Sequence, residues 1–208
     1  MPKVPSLYTA LTTGQNATDV GIYGSNTNTW ILEKGQIVEI ILNSADPGKH
    51  PFHLHGHNFQ AVYRGEEAEG PYSHNGTSYP AVPMRRDTFM VHPKSNIVLR
   101  FKADNPGVWL FHCHIEWHIV SGLVATLVEA PLELQAQNIT IPQDHLEACK
   151  LSGIPTSGNA VGNTVDYLDL SGERLPPGRI PGGFTTGGIV AIVVTCVTGA
   201  VGVAVVVW

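Results

Sequence analysis

Two short runs carry the residues that could do chemistry: His112-Cys113-His114 with His118, and His50-Pro51-Phe52-His53-Leu54-His55-Gly56-His57. They hold most of the chain's ten histidines and one of its three cysteines. A thiolate and imidazoles at one centre favour copper, and two His with one Cys is the blue-copper donor set. One such ion uses Cys113 and two imidazoles. The histidines left over, in adjacent positions, imply further metal.

Alternate side chains of an extended chain point to opposite faces. Cys113 therefore projects to one side of its strand, and His112 and His114 to the other. His53 and His55, two apart, also share a face. This predicts a mononuclear copper at Cys113 and a second, His-rich copper cluster behind the same strand, with the backbone between them as the route for electrons.

At these residues the chain resembles the multicopper oxidases, whose two C-terminal copper signatures look like His50 to His57 and His112 to His118. Met84-Arg85-Arg86-Asp87-Thr88 and the stretch Arg100 to Trp109 are similar to fungal iron-transport ferroxidases. The resemblance covers residues 4–135 well and the tail more weakly. It implies that His50, Cys113 and His118 bind type 1 copper. His53 matches a type 2 ligand, and His55, His112 and His114 match type 3 ligands. Leu123 falls where many blue-copper proteins place a weak axial Met; a Leu cannot ligate, which raises the copper's potential. His57 has no ligand role in the family and is read as a supporting residue.

The family's trinuclear cluster needs twice the histidines that this chain supplies. Outside the two motifs stand only His74, His92 and His145, none in a His-x-His pair. The resemblance therefore implies the third cupredoxin domain of an oxidase whose cluster is shared with a missing N-terminal domain. On this reading the isolated chain is a piece or a truncated gene product, with at most a type 1 site and no turnover.

The elements that must position these residues are strands. Ile37 to Leu42, Phe59 to Tyr63, Asn96 to Lys102, Val108 to Phe111 and Leu123 to Val128 are short and β-branched-rich. Gly, Asn and Pro breaks such as Asp104 to Gly107 separate them. They predict an all-β, cupredoxin-like Greek-key barrel or sandwich over 1–135. A helical turn over Ile115 to Val120 is expected to swing His118 back toward Cys113. Residues 136–187, rich in Gly, Pro, Asn and Ser, read as a flexible stalk, with a short helix over Asn159 to Leu170 as the alternative. Residues 188–208 contain an uncharged run long enough to cross a bilayer as a helix. A cleaved lipid-anchor signal ends similarly; the family resemblance favours a single-pass anchor.

A net charge of −5 over 208 residues and few basic clusters argue against nucleic acid. Three cysteines, one of them claimed by copper, give no disulfide framework. Asn16-Ala-Thr18, Asn75-Gly-Thr77 and Asn138-Ile-Thr140 are N-glycosylation acceptors by pattern. They favour a secretory-pathway protein with the copper domain outside the cell or in a lumen, and the resemblance implies the plasma membrane above all. The N-terminus lacks the apolar core of a signal peptide, which again suggests a missing front part.

Two acids bear on substrate and mechanism. Asp46, four residues before His50, matches the acid that helps bind Fe(II) beside type 1 copper in iron-oxidising members, although Asn43 to Gly48 also reads as a turn. Glu116, between His114 and His118, is a candidate to relay protons to dioxygen or to orient a ligating imidazole. Asp87 with Arg85 and Arg86 reads as a structural salt-bridge or hydrogen-bond group. The resemblance implies Fe(II) and dioxygen as substrates and an iron permease as partner. A laccase-like oxidation of phenols and a one-electron carrier or inert domain are the alternatives. The carrier would have no use for His53, His55, His112 and His114.

Overall fold

The computed structural model describes residues 2–74, 78–175 and 183–208. Contacts group it into two units, Met1–Leu175 and Pro176–Trp208.

The first unit opens with helix α1 (Ser6–Thr12) and two 3-10 turns, Gly14–Thr18 and Val20–Tyr23. The second turn is capped by Asp19, whose carboxylate accepts the Gly21 N–H. Strands β1 (Thr29–Leu32), β2 (Ile37–Asn43), β3 (His50–Leu54) and β4 (Phe59–Arg64) follow. Next come β5 (Met84–Arg86), β6 (Thr88–Val91), β7 (Asn96–Lys102) and β8 (Gly107–Cys113). The short helix α2 (Glu116–Val120) leads into β9 (Val124–Glu129), and α3 (Pro131–Ala136) and α4 (Gln143–Leu151) complete the unit.

The strands form two sheets, β1-β9-β8-β3-β6 and β2-β7-β4-β5. β1 runs parallel to β9, and the other pairs are antiparallel. This is the cupredoxin-like architecture that the strand pattern predicts. Phe52, Leu54, Phe59, Leu99, Phe101, Phe111, Cys113 and Leu127 fill one core cluster, drawn from alternate positions of strands in both sheets. On β2 and β7, Glu39 stands opposite Arg100, and their side chains pair at 2.6 Å, a cross-strand contact of the kind that favours one register. The predicted turn over Ile115 to Val120 is α2.

The sequence pattern underestimates order after residue 135. Over 136–175 the chain is packed and does not form a free stalk. Cys149 of α4 is buried against Val4 and Tyr8. The Ala160 N–H donates to Ile22 O at 2.8 Å, and Lys3 N–H donates to Ala160 O at 2.7 Å. The carboxylate of Glu173 accepts both the N–H and the hydroxyl of Ser25. No helix forms over 159–170. Asn159, fully buried, accepts from the Val161 and Asn163 amides and donates to the carbonyls of Tyr167 and Asp169. Local Asn and Asp bonds to the backbone compete with periodic structure, and burial against the N-terminal segment then holds the resulting turns.

The second unit contains helix α5 (Thr186–Val207), which starts slightly ahead of the predicted span. Eighteen consecutive residues within its 22 reach a mean hydropathy of 2.7, and the helix rises about 33 Å, enough for a bilayer's hydrocarbon core. Of the three glycosylation patterns, Asn16 and Asn138 lie exposed; Asn75-Gly-Thr77 is outside the described residues.

Candidate metal centre

One pairing register builds two faces of chemistry. β3 and β8 are antiparallel, with Phe52 opposite Cys113 and His53 opposite His112. Phe52 and Cys113 therefore point into the core, and His50, two residues before Phe52, shares that face. His53 and His112 point the other way, as strand alternation requires.

On the core face, Cys113 Sγ lies 3.6 Å from His50 Nδ1 and 3.4 Å from His118 Nδ1. The donor atoms of the three residues all fall within 4.8 Å of one another, close enough for a single ion to bond all three. α2 makes this possible by returning the chain after Cys113. The Leu123 N–H donates to His118 O at 2.9 Å and the Cys113 N–H to Leu123 O at 3.2 Å. Burial pushes the Cys113 thiol up, with the Ile115 amide acting against it. The sulfur is therefore protonated until a metal displaces the proton. Buried thiolate with two imidazoles is a donor set that fits copper.

On the opposite face four imidazoles gather. Ring centroids are 5.0 Å apart for His53 and His55, 5.1 Å for His55 and His112, and 5.4 Å for His112 and His114. Backbone carbonyls select the tautomers. His53 Nδ1 donates to Asp87 O at 2.8 Å, and His112 Nδ1 donates to Cys113 O at 2.9 Å. A carbonyl only accepts, so each ring carries its proton on Nδ1 and leaves Nε2 free to ligate. The Nε2 atoms of His55 and His112 stand 3.0 Å apart. Burial, then the neighbouring rings of His53, His112 and His114, hold His55 below the ordinary histidine range, which favours the neutral form that binds metal. No three donors of this group close on one point as the Cys113 triad does, among the described residues.

Asp46 closes the expected turn and also reaches His50. Its Oδ1 accepts the Gly48 N–H at 2.6 Å, closing the turn, and the same oxygen lies 3.1 Å from His50 Nε2. The Gly48 amide, then His50, hold the carboxyl below the ordinary range. The side chain is 58 % exposed, so its outer edge faces solvent. Asp46, His50, His118 and Leu123 border a largely apolar cleft of about 760 Å³ that also takes in Trp30 and Ile40. Glu116 is the first residue of α2 and exposed; among the described residues it has no hydrogen bond or ion pair to a motif histidine.

One expectation changes. Asp87 forms no ion pair with Arg85 or Arg86 among the described residues; it acts through its carbonyl, which accepts from both His53 Nδ1 and the Leu54 amide. His57, set aside as a ligand, is held by a residue the sequence reading passed over. Glu129, fully buried, brings Oε2 to 3.0 Å from His57 Nε2, a charge contact without the alignment of a full hydrogen bond. Burial opposes a charged His57 ring, but the Glu129 carboxylate outweighs it and holds the ring above the ordinary value. The available signal was a lone acid at the end of the apolar run Val124 to Glu129.

A two-sheet cupredoxin-like barrel with a Cys-His triad on one face of a strand and a His group on the other defines a copper protein. The chain belongs to the multicopper oxidase family, whose model matches residues 1–133. It is 59 % identical to the iron transport multicopper oxidase fetC of Epichloe festucae, over 100 % of this chain and 34 % of that protein. It is 51 % identical to the iron transport multicopper oxidase FET3 of Saccharomyces cerevisiae, over 97 % of this chain and 33 % of the relative. The crystal structure of Fet3p, a multicopper oxidase that functions in iron import, superposes with a TM-score of 0.78 at 50 % identity, covering 84 % of this chain and 35 % of that one. A laccase from Botrytis aclada gives a TM-score of 0.50 at 26 % identity, covering 66 % of this chain and 26 % of that one. The chain thus spans about a third of the length of the curated relatives it matches.

Proposed function

We propose that this chain is the C-terminal copper domain of a membrane-anchored ferroxidase that serves iron uptake. His50, Cys113 and His118 would hold type 1 copper, and His53, His55, His112 and His114 half of a trinuclear cluster completed by a further domain. When bound, copper supplies one-electron oxidation at the first site and four-electron reduction of dioxygen at the second. In sum, four Fe(II) become four Fe(III), and one dioxygen takes up four protons to leave as two waters.

The observation that carries the iron reading is the Asp46 carboxylate, open to solvent on one side and 3.1 Å from His50 Nε2 on the other. A hard carboxylate suits an iron ion and favours the ferric product. From there His50 leads to Cys113 Sγ, and the Cys113 backbone leads to both flanking histidines. The hydrogen bond from His112 to the Cys113 carbonyl adds a second link on the same route. Glu116, exposed beside His114 and His118, would relay protons toward the reducing site. The α5 helix would anchor the protein in the plasma membrane with the copper domain outside, where an iron permease could receive Fe(III).

A second reading, phenol oxidation, draws on the apolar cleft beside His118 and Leu123. One experiment separates the two. The copper-loaded chain is mixed anaerobically with Fe(II) or with hydroquinone, and bleaching of the blue band is followed. Faster bleaching by Fe(II) supports the ferroxidase; faster bleaching by hydroquinone transfers the site to phenols. Retention of the chain in alkaline-washed membranes, and its release when residues 184–208 are removed, tests the anchor.

A further inference from the structure

Glu129 touches no proposed copper ligand, yet two separate arms run from its carboxylate to the turn that carries His55. The first arm passes through His57. Its Nε2 meets Glu129 Oε2 at 3.0 Å, and its Nδ1 donates to His55 O at 3.2 Å. The second arm passes through Asn105, whose amide donates to Glu129 Oε1 at 2.6 Å and whose side-chain Nδ2 donates to Gly56 O at 2.9 Å. Two successive carbonyls, of His55 and Gly56, are therefore tied to one buried carboxylate.

Packing closes the unit. The His57 ring lies against Phe101, with centroids 4.8 Å apart. Trp109 donates from Nε1 to Asn105 O at 2.8 Å, and its ring lies where a Cβ on Gly56 would be, 2.6 Å away. A buried carboxylate is costly to desolvate and persists where paired donors compensate it. Here the donors are the groups that hold the His55 turn.

We infer that Glu129, with His57 and Asn105, is a positioning unit that sets the His55 imidazole against His112. It deepens the copper-cluster reading, on which its functional meaning rests. Its role is geometric. Supporting contacts of this kind orient metal ligands, and a ligand displaced by about an ångström is a poor one.

The test uses the full 208-residue chain in detergent. Two variants cut one arm each: His57→Phe keeps the aromatic packing on Phe101 and Trp109, and Asn105→Ala leaves the His57–Glu129 pair in place. In the metal-free chain, NMR contacts between the His55 and His112 rings are compared with wild type; in the copper-loaded chain, the blue band is measured. The inference expects the ring contact to be lost in both variants while the blue band remains. It is overturned if the contact survives in both, or if the blue band disappears with it, which would make the unit a support of the whole domain. A wild-type chain with no blue band would sink the type 1 reading, while the metal-free ring contact would still decide this one.

Discussion

His112 donates from Nδ1 to the carbonyl oxygen of Cys113 at 2.9 Å, so the residue that supplies the thiol also sets the tautomer of its neighbour across the strand. The thiol lies in the core and the imidazole on the opposite face, joined by one peptide unit and one hydrogen bond. Cys113→Ser should therefore abolish intense visible absorption in the copper-loaded chain, since that colour requires the thiolate. The His53, His55 and His112 rings should keep their NMR contacts. A blue band that persists would remove Cys113 as the ligand.

Asp46 should matter for iron and not for organic reductants. Asp46→Ala is expected to slow bleaching of the blue band by Fe(II) about tenfold, equivalent to about 1.4 kcal/mol of transition-state stabilisation. Bleaching by hydroquinone should be unchanged. Stopped-flow absorbance at several Fe(II) concentrations measures both, and equal slowing with the two reductants would point to a disturbed copper site.

Gly56 is a position where the turn requires glycine. Its φ is +70° and an added Cβ would lie 2.6 Å from the Trp109 ring. Gly56→Ala combines left-handed strain with overpacking, for an expected loss of about 3 kcal/mol. Denaturant unfolding monitored by tryptophan fluorescence gives the value, and a loss below about 0.5 kcal/mol would mean that the turn yields freely.

Asn159→Ala tests whether the segment after residue 135 is truly packed. The side chain makes four hydrogen bonds to the backbone, two accepted and two donated, in a fully buried position. Leaving these groups unpaired should cost about 2–4 kcal/mol. Limited proteolysis should cut within 158–170 while the blue band is retained. Unchanged protease resistance would return this stretch to the free-stalk reading.

Tyr63 and Glu69 give a pH signature. The Tyr63 hydroxyl donates to Glu69 Oε1 at 2.7 Å. That bond is the main reason the Glu69 carboxyl lies below its ordinary range, with the Glu66 amide next. It likewise leads in raising the Tyr63 hydroxyl. A depressed carboxyl stabilises the fold above its unfolded value and loses the effect as pH falls through the folded one. A raised phenol stabilises below its unfolded value and loses the effect as pH climbs past the folded one. The stability difference between wild type and Tyr63→Phe should therefore be flat between about pH 5 and 9 and shrink below about 4 and above about 10. Chemical denaturation across that range reads it directly, and a difference independent of pH would dissolve the pair.

The legible part of this protein was local. The strands over Ile37–Asn43 and Asn96–Lys102 follow from β-branched runs between turn residues, and α5 from an uncharged run. Thr29–Leu32 and Met84–Arg86 were not legible, because three or four residues show too little period to stand out. Order over 136–175 was missed for a different reason. Gly, Pro, Asn and Ser normally signal a loop, and only contact with Val4, Tyr8 and Ile22 shows that these loops are held.

The sequence by itself determined the donor types and their faces. Thiol beside imidazole selects the metal, and a period of two sends Cys113 one way and His112 and His114 the other. Tertiary structure decided which residues meet. The register of Phe52 against Cys113 joins two motifs about sixty residues apart, the Asp46 turn aims a carboxylate at His50, and Glu129 reaches back to His57. Donor chemistry belongs to each side chain and alternation to the local backbone, so both can be read along the chain. Pairing register and burial depend on how distant segments pack together, and only the folded molecule supplies that.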